Sequence, residues 1–250
     1  MSPGPLYWLN IPSFLATKYR INTSWQMVVP GSLLHPAAVG GSATVYRMES
    51  PATLTGYVLK IYNPDRLSEV QTLPFTGKLH LISKLATGQV PGAMAFAQTR
   101  PYVSWPLISA YSKQVVDPQK LVGFVMPHFT DALSLAYIAM PRMREKHFPN
   151  AKPSHLFAVA GQLAHNLHKL HFNPPNYRAP SNIVFGDLSL NNILIDKHTY
   201  QTYFLDADGY QFTSADGPQV LVPPATATPM TANGPTRRGT RCRSASVRAG

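Results

Sequence analysis

The stretch FGDLSLNNILID, residues 185–196, decides how this chain reads. Asp187 and Asn192 stand five apart in a loop between apolar segments. That spacing lets a carboxylate face a hydroxyl group while an amide oxygen reaches a metal ion. Fourteen residues past Asn192, Asp206 follows YFL at the end of an expected strand, where a carboxylate can chelate Mg²⁺. Asp and Asn are also common turn formers. Turn formation accounts for any one of these residues, but not for D-x-x-x-x-N followed by a strand-borne Asp and preceded by a long helical pattern.

That helical pattern lies just upstream. In SHLFAVAGQLAHNLHKLHF, residues 154–172, Leu156, Val159, Leu163, Leu167 and Leu170 recur at helical spacing, and Ser154 is the expected N-cap. His165, His168 and His171 drift around such a helix instead of forming one metal-binding face. Downstream and upstream of the motif, NIVFGDLSLNNILID and TYFLDADGYQF read as strand–loop–strand units.

Further towards the N-terminus the pattern turns β-rich. WQMVVPGSLL (25–34), ATVYRM (43–48) and GYVLKIY (56–62) read as successive antiparallel strands joined by turns. Residues 65–87 carry apolar side chains at helical spacing interrupted at Pro74, which predicts a helix over Thr76–Ala86. YVSWPLISAYS (102–112) and LVGFVMPHF (121–129) read as a second hairpin ending at Pro127. Residues 1–24 show no clear periodicity and form a leader without an assigned element.

Two elements in the β-rich part carry candidate chemistry. VGGSATVYR, residues 39–47, sets Gly40 and Gly41 between two expected strands, and a Gly-rich turn lets backbone N–H groups approach phosphate oxygens. Taken alone, Gly-Gly between strands is usually a hairpin turn. Lys60, in GYVLKIY, points opposite to Leu59 and Ile61. It reads either as an edge lysine that guards the strand against pairing or as an ammonium that holds nucleotide phosphates.

Composition limits the function classes. The chain has 250 residues, 44% of them hydrophobic, 13% charged and 24 of them Pro. The charged share is low beside a typical value of about 25%. Of the formal charge of +11, residues 213–250 contribute five Arg against one acidic residue, and the rest is spread thinly. Such a spread helps attract polyphosphate. The Arg-bearing tail is expected to be solvated, and nucleic acid is not an expected partner of this chain. The single cysteine, Cys242, excludes an intramolecular disulfide framework. No apolar run approaches the ~18 residues of a membrane span, and no signal peptide is expected, so a cytoplasmic location follows. Residues 213–250, rich in Ala, Pro, Thr, Gly, Ser and Arg, are expected to be disordered.

Taken together, GGSATVYR, VLKIYNP, SWP at 104–106, GFVMPHF, FGDLSLNNILID and LDADGYQF resemble a bacterial group of the eukaryotic-type protein kinase superfamily. The group is the one with GDLxxxNILV and DxDS(F/Y)Q motifs, some members of which are fused to helix-hairpin-helix DNA-binding modules. The similarity covers roughly residues 26–212. It implies an α+β, protein-kinase-like two-lobed fold, with a β-rich N-lobe over 25–127 and a partial, helical C-lobe over 128–212. By the same resemblance, Lys60 is the phosphate-anchoring lysine and Asp187 the catalytic base. Asn192 and Asp206 are the metal ligands, with Asp208 as an alternative. Gly40, Gly41 and Val45 line the nucleotide, and the backbone of Met126 faces the adenine edge. ATP and Mg²⁺ are the implied cofactors, and a Ser or Thr hydroxyl of a protein is the implied acceptor.

Several residues depart from the kinase pattern. Ala38 and Ala43 stand where the outer glycines of the Gly-rich loop would be, and Phe185-Gly186 replaces His-Arg. Ser189 takes the place of a lysine, and Asp206-Ala207-Asp208 replaces Asp-Phe-Gly. Glu69 is the sole acidic residue in 66–87 that could partner Lys60, and it precedes the expected helix. The stretch after Asp206 is short for a kinase C-lobe, which predicts a truncated product whose long helix leaves apolar surface such as Leu163 or Leu167 uncovered. Three functions stay open on these residues: a protein kinase, a non-catalytic nucleotide-binding pseudokinase or scaffold, and a small-molecule phosphotransferase sharing G-D-x-x-x-x-N.

Overall fold

The computed structural model describes residues 7–19, 24–28, 34–39, 41–48, 54–89, 95–172 and 182–213. It is a mixed α+β structure built on antiparallel sheets. The largest sheet runs in the order β2-β1-β6-β7-β5-β4-β3. Its strands are β1 (Tyr7–Asn10), β2 (Trp25–Val28), β3 (Leu34–Val39), β4 (Ala43–Met48), β5 (Tyr57–Tyr62), β6 (Ile108–Tyr111) and β7 (Leu121–Pro127). Every neighbouring pair is antiparallel.

Two features of this order differ from the sequence reading. The neighbour of β4 is Leu34–Val39, while Trp25–Val28 lies at the opposite edge and pairs with β1. Pro36 accounts for the edge position of β3, because it has no N–H to donate and the register shifts between Pro36 and Ala38. Residues 7–10, unassigned from sequence, form a strand between β2 and β6, where Leu9 is fully buried. A four-residue strand is too short to announce itself by alternation alone.

Helix α1 (Ser13–Tyr19) follows β1, and the short α2 (Leu67–Val70) leads into α3 (Leu73–Thr87). The expected helix at Thr76 starts three residues earlier, with Pro74 in its first turn, where a missing N–H costs nothing. Gly88 ends it in the left-handed region at φ 73°, and its N–H caps the Lys84 and Leu85 carbonyls. Buried Leu79, Ile82 and Leu85 seat α3 on the sheet.

The chain continues through α4 (Phe96–Thr99), β8 (Ala132–Ser134), α5 (Leu135–Ala139), α6 (Pro141–His147) and α7 (Pro153–His171). The N-cap of α7 is Lys152, with Pro153 as the first helical residue. Ser154 therefore lies inside the first turn, and the imidazole Nδ1 of His155 takes the capping role by accepting the Lys152 N–H at 3.2 Å. Leu163 and Leu167 pack against the core, contrary to the expectation that they stand uncovered. The exposed apolar side chain is Phe157, at 79%. The helix turns its Leu stripe towards the strands beside it, and Phe157 lies off that stripe.

Four short strands complete the structure: β9 (Asn182–Val184), β10 (Ile193–Asp196), β11 (Thr202–Phe204) and β12 (Gln211–Thr213). β10 pairs with β11 and β8, and β9 pairs with β12. The two units are thus nested, which lays the loop 185–192 beside the loop 205–210. Helix α7 anchors them: the Gln162 side chain accepts the Thr202 N–H at 2.7 Å, and the Asn166 amide donates to the Thr202 hydroxyl at 3.3 Å. No helix among the described residues is long and apolar enough to cross a membrane. Residues 214–250, the bulk of the tail read as disordered, lie outside the described residues.

Candidate active site

Lys60 occupies the middle of β5, the strand flanked by β4 and β7, with Val45 and Phe124 as its cross-strand neighbours. It is 8% exposed. An edge lysine that guards against strand pairing is therefore excluded. The alternation along β5 puts Val58, Lys60 and Tyr62 on one face and Leu59 and Ile61 on the other. Val45, Phe124 and Met126 share the first face by register. Gly123 makes the close approach of β7 possible, because a Cβ there would stand 1.9 Å from the Lys60 carbonyl oxygen.

The Lys60 ammonium binds two aspartates. Nζ lies 2.5 Å from Asp206 Oδ1 and 2.9 and 3.0 Å from the two carboxylate oxygens of Asp208. The Tyr62 hydroxyl donates to Asp208 Oδ2 at 2.6 Å. Asp208 is 6% exposed, whereas the Asp206 side chain is 41% exposed. The two carboxylates thus share one lysine from opposite environments, one sealed and one open.

These contacts set the electrostatics. Burial alone would lower the Lys60 pKa, but Asp208 and Asp206 outweigh it and hold the ammonium above its ordinary value. Burial would likewise raise Asp208, yet Lys60, the Tyr62 hydroxyl and Lys78 hold it below the ordinary carboxylate value. Asp206 moves the other way: the neighbouring Asp208 charge and burial raise it, against the pull of Lys60. Tyr62 is pushed well above its ordinary value by burial and by Asp208, so it remains a donor.

Asp206 sits in the left-handed region at φ 61° and ψ 39° and opens the 3₁₀ turn Ala207–Gly209. A non-glycine residue there carries a modest backbone cost, which Asp and Asn tolerate best. The turn closes with the Gly209 N–H on the Asp206 carbonyl at 2.9 Å. Tyr210 follows, 1% exposed, packed edge-on against Trp105 at 5.9 Å and at a tilt against Phe185 at 4.7 Å. The SWP element of the sequence acts here. Ser104 N–H donates to the Phe204 carbonyl at 2.8 Å, and the Ser104 hydroxyl donates to the Pro127 carbonyl at 3.1 Å. One tripeptide thereby ties the end of β7 to β11, which ends at Phe204, so Asp206 lies in the turn beyond the strand and not at its end as expected.

On the other loop, the Asn192 amide donates to Asp187 Oδ2 at 2.9 Å and to the Asp187 carbonyl at 3.2 Å. Asp187 is exposed and Asn192 half-buried. The Asn192 amide oxygen is the end of that side chain turned away from these bonds. The Asn192 carbonyl accepts the Leu205 N–H at 2.8 Å, which joins this loop to the segment leading into Asp206. Gly186 completes the junction, since a Cβ there would lie 2.3 Å from the Gly209 carbonyl oxygen.

The remaining sequence candidates are placed as follows. Gly41 lies in the exposed turn between β3 and β4, and its carbonyl accepts the Asn63 amide at 3.1 Å. A Cβ on Gly41 would meet nothing within 4 Å. Gly40 lies outside the described residues. Met126 is paired with Val58. Because the pair two residues along has the His128 N–H bonded to the Gly56 carbonyl, alternation turns the Met126 backbone groups towards Val58. Its side chain is what Met126 presents on the Lys60 face. Glu69 pairs with Arg66 at 2.7 Å on the surface and is not the partner of Lys60.

Sequence reasoning missed Tyr62, Lys78 and the weight of Asp208. Tyr62 could have been found from alternation, being two residues past Lys60 on the same strand. Lys78 lies on α3, is 1% exposed, and sets its Nζ 3.4 Å from the Tyr210 carbonyl. Burial and the Lys60 charge lower its pKa, against Asp208 and Asp206. No grouping of three or more His, Cys, Asp or Glu among the described residues could cage a metal by itself. The partly open Asp206 carboxylate and the Asn192 amide oxygen are donors of the oxygen type that Mg²⁺ takes, and a site completed by phosphate oxygens and water needs only one or two of them from protein.

No family model matches the chain, and no curated protein matches it. Among solved structures, it is similar to the ROP18 kinase domain in complex with AMP-PNP and sucrose. That likeness has a TM-score of 0.45 at 17% identity and covers 79% of this chain and 56% of that one. The chain thus spans less than two thirds of the structure it matches.

Proposed function

We propose that this chain is an ATP-dependent, protein-kinase-like phosphotransferase of two-lobed architecture acting on a Ser or Thr hydroxyl of a protein. The observation that carries the reading is the junction of Lys60, Asp206 and the Asp187–Asn192 pair through Gly186, Gly209 and the Leu205–Asn192 hydrogen bond. Four residues called for by phosphoryl transfer come from β5 and from two loops that touch each other.

In this reading Lys60 holds the α/β-phosphates, and Val45 and the Met126 side chain contribute to the apolar surface against the base. Gly41, in the turn before β4, covers the phosphates, a role the resemblance extends to Gly40. Asp206 and the Asn192 amide oxygen would hold Mg²⁺, which when bound would supply positive charge against the phosphate oxygens. Asp187 accepts the proton of the acceptor hydroxyl as its oxygen bonds to the γ-phosphorus and ADP departs. Asn192, by donating to Asp187 Oδ2, holds that carboxylate in orientation and leaves Oδ1 for the proton. The chemistry rests on positioning and charge neutralisation.

The test is a thermal-unfolding titration with ATP and Mg²⁺ on the wild-type chain and on Asp206→Asn. A ligand that binds only the folded state raises its apparent stability. A shift that requires Mg²⁺ and vanishes in the variant supports the site, and phosphate transfer to a Ser/Thr peptide library then tests catalysis. No shift at saturating nucleotide refutes the reading.

A second reading has its own support. Helix α3 contributes Lys78 and no carboxylate towards Lys60, and this departure favours a pseudokinase that binds nucleotide without transferring phosphate. Mg²⁺-dependent binding with no turnover on any acceptor separates it from the first.

A further inference from the structure

Helix α3 runs LPFTGKLHLISKLAT and contains no acidic residue. Its side chain that reaches the Asp206 turn is Lys78, a cation. The fixed counter-charge of Lys60 therefore comes from elsewhere. An ammonium has three N–H donors. Nζ lies against both carboxylate oxygens of Asp208, at 2.9 and 3.0 Å, and against one oxygen of Asp206. Asp208 is itself held by the Tyr62 hydroxyl at 2.6 Å and lies in the field of Lys78. Asp206, by contrast, has a partly exposed side chain whose contact to Lys60 is through a single oxygen.

We propose that Asp208 is the positioning residue for Lys60, and that Asp206 is the exchangeable partner that trades the Lys60 ammonium for a divalent cation when nucleotide enters. This inference rests on the reading above. The Lys60 ammonium passes its Asp206 contact to a phosphate oxygen, while its two-oxygen contact with Asp208 stays. Lys60, Lys78, Asp206 and Asp208 together carry no net charge, so Asp208 still faces two cations after Asp206 turns away. Lys60 orientation then depends on the 3₁₀ turn Ala207–Gly209 and not on the position of α3. Because Asp206 and Asp208 share that turn, the metal ligand and the lysine's anchor move as one unit.

The test measures Mg²⁺·ATP affinity by titration calorimetry, with the ligand-free unfolding midpoint recorded in parallel. Wild-type chain that fails to bind nucleotide refutes the functional reading, whatever Asp208 does. With wild-type binding established, Asp208→Asn is expected to weaken affinity about tenfold or more. The double variant Lys78→Glu/Asp208→Asn returns a carboxylate to face Lys60 from the helix and is expected to recover most of that loss. Asp208→Asn that lowers the unfolding midpoint yet binds with wild-type affinity overturns the proposal, as does a double variant that recovers nothing. If Asp208→Asn does not fold, Tyr62→Phe carries the test, since it loosens Asp208 without removing its charge. There a drop in affinity of about threefold or more supports the proposal, and unchanged affinity overturns it.

Discussion

Gly186 meets Gly209 with no room for a side chain between them, a Cβ on Gly186 falling 2.3 Å from the Gly209 carbonyl oxygen. The contact joins the residue before Asp187 to the turn that follows Asp206. It explains why glycine stands at position 186: the backbones of two loops touch there.

Gly186→Ala is accordingly expected to push the loops apart. Overpacking of this kind costs about 1–3 kcal/mol, read as a lowered urea midpoint. Mg²⁺-dependent nucleotide stabilisation should fall with it. Gly41→Ala is the contrast, because a Cβ there meets nothing in the fold. Its unfolding midpoint should match the wild type within experimental scatter, and any loss of nucleotide affinity would report crowding of the phosphates themselves.

Gly123→Ala should be the more damaging change. The added Cβ would lie 1.9 Å from the Lys60 carbonyl, inside the β5–β7 ladder. Either the ladder opens or Lys60 leaves its place. Loss of soluble, cooperatively unfolding protein is the expected outcome, measured by circular dichroism after expression beside the wild type. A normal unfolding transition would show that β7 can shift without cost.

Asp206→Asn and Asp206→Ala separate chemistry from backbone strain. Asparagine tolerates the left-handed conformation that Asp206 adopts, whereas alanine does not. Both variants should abolish the Mg²⁺-dependent part of nucleotide binding. In the absence of ligand, Asp206→Ala should be the less stable by about 1 kcal/mol, measured as the difference between urea unfolding curves.

Acid unfolding should report Asp208. Burial would raise its pKa, but Lys60, Tyr62 and Lys78 hold the folded value below the ordinary one. Its stabilising contribution is therefore present above the ordinary carboxylate value of about 4 and is lost as pH falls through the lower folded value. Asp206, raised chiefly by the Asp208 charge, has the opposite sign, and the fold favours its protonated form. Urea midpoints between about pH 6 and pH 3 should fall less steeply in Asp208→Asn than in the wild type. An identical slope would remove Asp208 from the account of acid stability.

Much of the candidate site was legible in sequence because its parts are local. Asp187 and Asn192 lie in one loop, and their mutual hydrogen bond needs only that loop's geometry. Helix α7 was visible in its Leu spacing, and α3 in its apolar pattern, with Pro74 mistaken for an interruption when it occupies a first turn. The β1 strand was not visible. Four residues carry too little alternation, and their place in the sheet depends on a partner, β6, about a hundred residues away. The SWP tripeptide stood out as a resemblance, but its purpose emerged from the Ser104 bonds to Phe204 and Pro127 and from Trp105 against Tyr210.

By itself, the sequence determined a D-x-x-x-x-N loop between two apolar segments, the long helix before it, an aspartate just past a later strand and a lysine flanked by apolar residues. Those features depend on neighbours within a few residues, where periodicity and turn chemistry act. Which carboxylate Lys60 would meet was decided only in three dimensions. Asp206 and Asp208 are 146 and 148 residues from it, and Glu69, far nearer along the chain, turned to Arg66 instead. A buried ammonium needs a compensating charge wherever packing brings one within reach. Here packing brought the turn after β11, because Gly186, Trp105 and helix α7 left that turn no other place to lie.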